Sequence, residues 1–141
     1  MGRDLSELWL AAAVETVEEW AESLVGRMGP VEVLTPPRPV VVMMNARDSV
    51  EGEVFCVGEL LMTECGASCG GESFRGWTLG NEPRRALALA ILGAAQGLFP
   101  HLLEDMAACF DAERERLAQD RERMVRALGS TRVAFETMRL G

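Results

Sequence analysis

The chain has 141 residues, of which 48% are hydrophobic and 26% charged, and its formal net charge is −8 at pH 7. This composition is typical of a folded globular protein, and the length favours a single domain over residues 1–141. An acidic chain is poorly suited to nucleic acid, and no apolar run reaches the about 18 residues of a membrane-spanning helix. We therefore expect no nucleic acid and no membrane as partner.

The N-terminus and the cysteines indicate a cytoplasmic protein. A secretory signal starts with a basic stretch and continues with an apolar one, whereas Arg3, Asp4 and Glu7 open this chain on an amphipathic pattern. A chain of this length can have a core without disulfides, so its cysteines fit a reducing compartment. They are Cys56, Cys65, Cys69 and Cys109.

A helix is predicted from Asp4 to a turn at residues 26–30. Asp4 and Glu7 have the spacing of a capping box, in which the two side chains satisfy free backbone donors of the first turn. Apolar residues then follow at three- or four-residue steps on one helical face. They are Leu5, Leu8, Trp9, Ala12, Thr16, Trp20 and Leu24. We interpret the tryptophans among them as core anchors.

Residues 31–79 are predicted to form a meandering antiparallel sheet, because β-rich runs alternate with turn residues. The runs are residues 31–35, 40–45, 54–63 and 73–79, and the turns are residues 46–51 and the Gly-rich stretch 66–71. Pro36, Pro37 and Pro39 lack the backbone donor of a sheet ladder. They therefore either separate the first two runs or place them at a sheet edge.

The run at residues 54–63 has apolar side chains on both faces, and Glu59 is its one charge before Thr63. Alternate residues of a strand point to opposite faces, and an antiparallel sheet usually leaves one face in water. In so short a chain we expect the second cover to come from another subunit.

The next helix is predicted to start near Asn81, with Pro83 in its first turn. Residues 86–95 are apolar all round and should be buried on most sides. The free backbone donors of the helix start, together with Asn81, Arg84 and Arg85, form the best candidate anion site of the chain. The alternative is an ordinary helix start with two solvated arginines.

The last helix is predicted to run from Pro100 to about Leu128 and to end at Gly129. A narrow apolar seam recurs every seven residues and suits packing against one neighbour. It comprises Leu103, Phe110, Leu117 and Met124. Charged residues such as Glu122 and Arg126 are interpreted as helix-stabilising pairs. Residues 131–138 are predicted to form a further strand that can join the sheet. The helices and the antiparallel sheet together make the predicted fold class α+β.

The chain offers few catalytic side chains. It has one histidine, His101, and neither lysine nor tyrosine, so we predict no catalytic residue.

Cys65 and Cys69 have the spacing of the first two ligands of a radical-enzyme cluster, but Glu72 stands where the third thiolate should be. We interpret this segment as a turn between strands, with structural zinc as the alternative, and we predict neither metal nor cofactor in this chain.

Two segments resemble the PhnG subunit of the bacterial carbon–phosphorus lyase system. The first is residues 55–65 followed by residues 76–80 and 85–86, and the second is the Arg-Val-x-Phe-x-Thr-Met ending. The family-motif residues are Gly58, Glu59, Thr63, Trp77, Gly80, Arg132, Phe135, Thr137 and Met138. The chain departs from the family pattern after Gly80, where Asn81 and Glu82 replace the usual Arg-Asp.

The resemblance implies a cytoplasmic, accessory, non-catalytic subunit of a transferase complex with PhnH-, PhnI- and PhnJ-like partners, assisted by a PhnL-like protein. In that family the complex replaces the adenine of ATP by a phosphonate, and ATP and the phosphonate are its substrates. A homo-oligomer of the isolated chain is left open. The alternative function is a stand-alone phosphate- or phosphonate-binding protein that uses the helix start at residues 80–85.

Overall fold

A computed structural model of the protein describes residues 4–140, and the side chains as far as residue 129. Its elements are α1 (Ser6–Ala11), α2 (Val14–Val25), β1 (Val31–Arg47), β2 (Val54–Cys69), β3 (Glu72–Leu79), α3 (Pro83–Leu98), α4 (Pro100–Glu104) and α5 (Ala107–Leu140). The strands form one antiparallel sheet in the order β1-β2-β3. The predicted α+β class, with an antiparallel meander and a long last helix, is confirmed.

The chain divides into two compact units, Met1–Ala12 with Met106–Gly141 and Ala13–Asp105. In the first unit, Trp9 is buried and packs edge-on against Phe110, with 6.4 Å between the ring centroids. The second unit contains the sheet and the helices from α2 to α4. That the whole chain is one domain stays a prediction. None of the helices between residues 4 and 140 has both the length and the apolarity needed to cross a membrane.

In the second unit, α3 covers one face of the sheet at very close range. Cys65 and Ala67 of β2 pack against Ala86 and Ala90 of α3, and none of the four is more than 1% exposed. Gly76 of β3 makes this approach possible, because a Cβ there would lie 2.7 Å from Ala90 N and 3.0 Å from the Ala86 carbonyl carbon. The apolar α3 is buried as predicted, and α2 packs against it.

The predicted N-terminal helix is interrupted. Extended backbone at Ala12 and Ala13, with ψ values of 154° and 145°, separates α1 from α2. Alanine is the strongest helix former, so the local sequence does not explain this break. The predicted capping box of Asp4 with Glu7 is wrong, because the cap position of α1 is Leu5 and has no side-chain cap hydrogen bond, although Asp4 Oδ1 accepts a hydrogen bond from the backbone N–H of Ser6 at 3.0 Å.

The sheet has longer strands than the sequence predicts. Residues 31–47 form one strand at the edge of the sheet, which was one of the two alternatives for the prolines, and its register shifts between Val33 and Arg38 absorb them. The predicted turn at residues 66–71 is wrong in its extent, because β2 continues to Cys69. The turn is limited to Gly70 and Gly71, whose φ values of 60° and 83° suit a tight hairpin.

The C-terminal prediction is wrong in two places. The helix starting at Pro100 ends at Glu104, and α5 begins only at Ala107. That helix passes through Gly129 and includes residues 131–138, which were expected to form a strand. A single glycine costs only about 1 kcal/mol in a helix, and the residues after it include good helix formers. The predicted pair of Glu122 with Arg126 is present, with 3.8 Å between its charged atoms.

Candidate functional site

A polar junction holds the turn from β3 to α3 against β2. It consists of Thr63, Thr78, Gly80, Glu82 and Arg85. The hydroxyl of Thr63, which is 1% exposed, donates to the Gly80 carbonyl at 2.6 Å and accepts from the backbone N–H of Glu82 at 3.0 Å. Gly80 has a φ of 80°, a backbone conformation that glycine adopts without strain. One buried hydroxyl thereby satisfies a donor and an acceptor of the same turn.

The Glu82 carboxylate is the second connector of the polar junction. Its Oε2 accepts from the Thr78 hydroxyl at 3.2 Å and from Arg85 Nε at 3.1 Å. Arg85 is 8% exposed, whereas the Glu82 side chain is 40% exposed, so water reaches this ion pair from the glutamate side. The structure therefore brings together Thr63 and Gly80, two family-motif residues, with Arg85. The sequence analysis assigned no structural role to Thr78 or Glu82, although Thr78 lies in the family-motif stretch 76–80, two residues before Gly80.

The candidate anion site is lined by groups that already have partners. The guanidinium of Arg84 pairs with Glu18 at 2.5 Å and reaches Glu15 at 4.0 Å, while Arg85 is held by Glu82. Arg84 lowers the pKa of Glu18 through their hydrogen bonds, and the same contact raises the pKa of Arg84. An anion at this helix start would have to compete with three carboxylates. The anion-binding role of Arg84, Arg85 and the exposed Asn81 stays a prediction.

A groove between α2 and α3 lies beside Arg84. Its volume is about 160 Å³, and apolar side chains including Val25, Leu87 and Ile91 line it together with Glu18. Pockets that enclose a small molecule usually measure about 300 to 1,000 Å³. This groove is therefore too small to enclose a nucleotide.

A charged cluster lies on the other face of the sheet, where Glu64 is 6% exposed. Arg38, its neighbour on β1, reaches Glu64 Oε1 at 2.6 Å, and Arg75 of β3 approaches Oε2 at 3.9 Å. Trp77, a family-motif residue, is the β3 partner of Glu64 in the ladder and is 39% exposed. The cluster connects all three strands, and its two arginines leave it with an excess of positive charge.

The apolar end of the sheet is exposed. We call residues 41–47 of β1 and 54–61 of β2 the ribbon, because these paired segments extend past the end of β3, whose Leu79 pairs with Met62. Among the apolar ribbon side chains, Val42 and Leu60 are half-buried, and seven others are between 43% and 62% exposed. These seven are Val41, Met43, Met44, Val54, Phe55, Val57 and Leu61. Gly58 and Glu59 lie in the ribbon. Another subunit was expected to cover only the second face of strand 54–63, but the exposures leave both faces of residues 54–61 partly open.

The cysteines and the histidine are not assembled for chemistry. Cys65 is buried against α3, and Cys69 is buried with its thiol 3.7 Å from the Met28 carbonyl oxygen. Burial raises the pKa of the Cys65 thiol, so it is a poor nucleophile. Both cysteines belong to β2, four positions apart and thus about 13 Å along the strand. His101 is exposed in the short α4. Among the described side chains, no three histidine, cysteine or carboxylate groups come close enough to hold a metal ion.

Four family-motif residues cannot be placed by their side chains. Arg132, Phe135, Thr137 and Met138 belong to the last part of α5, and their side chains lie outside the described residues. The structure therefore relates Thr63, Gly80 and Trp77 to the sheet and Gly58 and Glu59 to the ribbon. It gives no contact for the C-terminal motif.

The fold and these sites define an α+β protein in which the polar side chains of each site pair with one another and most apolar side chains of the ribbon are exposed. The family model of the phosphonate metabolism protein PhnG matches residues 3–141, nearly the whole chain, and the chain belongs to this family. The resemblance inferred from its motifs is thereby confirmed. Membership implies a role in phosphonate metabolism, in the context of the carbon–phosphorus lyase system and its complex. A search of curated proteins found no match.

Proposed function

We propose that this chain is an accessory, non-catalytic subunit of the cytoplasmic carbon–phosphorus lyase core complex. In this role it supports the transfer of a phosphonate to ribose C1 of ATP with loss of adenine. The observation that carries the proposal is the ribbon, whose apolar side chains are half exposed on a chain that belongs to the PhnG family. Exposed apolar patches of this kind commonly mark surfaces where another protein binds.

The reaction explains why a subunit without catalytic groups is useful. A phosphonate oxygen forms the new bond to C1, the bond from C1 to the adenine nitrogen breaks, and adenine leaves with that electron pair and takes up a proton. The nucleosidase-like chemistry is assigned to a PhnI-like subunit, with PhnH- and PhnJ-like chains in the same complex and a PhnL-like protein assisting. This chain would cover the catalytic subunit, and water kept out of the pocket cannot compete with the phosphonate.

The test is assembly and turnover with and without this chain. The PhnH-, PhnI- and PhnJ-like chains of the same organism are coexpressed with it, and the PhnI-like chain carries the purification tag. We expect this chain to copurify, and we expect adenine release from ATP, measured with methylphosphonate and a PhnL-like protein, to fall when it is omitted. A chain that stays monomeric and binds none of these partners would refute the proposal.

A pair of variants tests the surface that carries the proposal. Val41→Glu places a charge on the ribbon, and Leu128→Glu places the same charge on α5. The two side chains are 62% and 61% exposed, so the substitutions disturb folding to a similar extent. We expect copurification to be lost only with Val41→Glu. Equal losses would show that the ribbon has no special part in assembly.

A further inference from the structure

One edge of β2 has a row of open backbone groups. β1 pairs with β2 as far as Val54, but β3 pairs with it only from Cys69 to Met62. The last contact on the β3 side is the backbone N–H of Gly80 donating to the Leu61 carbonyl at 2.8 Å. Because alternate residues direct their backbone groups to the same side, the N–H and C=O of Glu59 point to this edge as well. Within the described residues, no strand occupies this edge at positions 54–60.

Proline protects the outer edge of β1 only beside the part of β2 that β3 covers. Pro36, Pro37 and Pro39 lie there, whereas the ribbon residues of β1, 41–47, have no proline and a single charge, Arg47. The open edge of β2 has no proline, and Glu59 is its one charged residue. A register shift at Val57 is the one irregularity of this edge, and an edge that is otherwise long and apolar is a template for strand addition.

Both faces of this segment need a cover. Val41 and Leu61 are a cross-strand pair and therefore share one face, and they are 62% and 46% exposed. On the opposite face, Met44 of the ribbon is 43% exposed and Leu79, beside Met62, is 60% exposed, while Val42 and Leu60 are half-buried. A partner that lay flat on one face would leave the other in water. A strand added in the plane of the sheet brings its own side chains to both faces, as successive residues alternate.

We propose that the β2 edge at residues 54–61 is a strand-addition site for an extended segment of a different polypeptide, with alternating apolar side chains and a basic residue beside Glu59. The added strand continues the line of β3 and runs antiparallel to β2. The inference rests on the proposed function, because the partner is then another subunit of the same complex. It adds the mode of binding and the chemistry of the segment that binds.

Charge complementarity decides between a different chain and a second copy. Glu59 is exposed and forms no hydrogen bond or ion pair with any other described residue. In a symmetric pair of β2 edges, the two Glu59 side chains would lie on neighbouring strands, and each copy would bring a net charge of −8. Like charges so placed oppose pairing, whereas a basic residue on the partner would neutralise Glu59.

The test is hydrogen–deuterium exchange of the full chain, alone and in the complex with coexpressed PhnH-, PhnI- and PhnJ-like chains. We expect exchange of the amides that point to the open edge within residues 54–61, such as that of Glu59, to slow at least about tenfold on assembly, since a new ladder protects amides that side-chain contact alone does not. A complex that forms while these amides exchange as before would overturn the inference and leave the proposed function standing. If no complex forms, both are wrong.

Variants at Glu59 separate the ladder from the charge. Glu59→Pro removes the outward N–H without removing a donor from the ladder with β1, and Glu59→Ala keeps that N–H. We expect the proline variant to assemble at least about tenfold more weakly than the alanine variant, and Glu59→Lys to be weaker than alanine too. Melting curves check that each variant folds. Equal assembly of all three, or an isolated chain that forms homo-oligomers with residues 54–61 protected, would overturn the inference.

Discussion

The contact between β3 and α3 gives the sharpest prediction for stability, through Gly76→Ala. The new methyl carbon would lie 2.7 Å from Ala90 N, 3.0 Å from the Ala86 carbonyl carbon and closer still to the Ala86 carbonyl oxygen. Ordinary contacts of this kind are about 3.5 Å long, so strand and helix must separate by roughly 0.8 Å to clear Ala90 N and by more to clear the Ala86 carbonyl oxygen. The obstacles are backbone atoms, which cannot rotate away as a side chain can.

That separation opens the closest-packed part of the core. Overpacking usually costs about 1–3 kcal/mol, and we expect the upper end, about 3 kcal/mol, because backbone must move. For a chain of this size this corresponds to a melting temperature lower by roughly 10 °C. Urea denaturation followed by circular dichroism measures the free energy of unfolding, and a thermal scan measures the midpoint.

A matched control lies in α3 itself. A Cβ at Gly93 would meet no atom within 4 Å, and its backbone is helical. Gly93→Ala should therefore raise the free energy of unfolding by about 0.5–1 kcal/mol. The reasoning is refuted if Gly76→Ala costs less than about 1 kcal/mol, the lower limit for overpacking, or if both variants change stability in the same direction.

Three further predictions concern the polar junction, the cysteines and pH. Thr63→Val should lower the free energy of unfolding by about 1–3 kcal/mol by leaving a buried donor and acceptor unpaired, and Thr63→Ser should cost less; equal losses in urea denaturation would contradict this. Iodoacetamide at pH 8 should modify exposed Cys56 in the folded chain and buried Cys65 only after unfolding. Peptide mass spectrometry measures the modification rates of the two cysteines, and equal rates would contradict this prediction. Because Arg84 lowers the pKa of Glu18 from 4.5, their contact stabilises the fold above that pH and is lost as pH falls through the lowered value. The melting temperature of Arg84→Gln should thus lie below that of the wild-type chain at pH 7 and approach it as the pH is lowered well below 4.5, and a constant gap would disprove the assignment.

The sequence predicts best where one local pattern decides. The all-apolar run of α3, the Pro83 helix start and the Gly70 and Gly71 turn have local signatures, and the structure agrees with them. The pair of Glu122 with Arg126 is equally local, because four residues bring two side chains together on any helix. The family motif can also be identified from the sequence alone.

Long-range contacts account for what the sequence does not predict. Nothing near Glu64 in the chain points to Arg38 or Arg75, because the register of three strands brings them together. The role of Gly76 likewise depends on how closely α3 approaches β3, and no periodic pattern in the sequence predicts that distance. The break after Ala12 runs against the high helix propensity of alanine. Local propensity therefore predicts a continuous helix there and not the break.

The ribbon also has a consequence for how the protein is made. Residues 54–61 combine high β-propensity with a single charge and no proline, the composition of an aggregation-prone segment. A copy synthesised without its partners would expose this segment throughout its lifetime. Under the proposed function, solubility would depend on matched synthesis of the other chains, and a surplus of this one would be removed by chaperones and proteases. Glu59, the lone charge there, would then act as a gatekeeper against self-pairing until assembly.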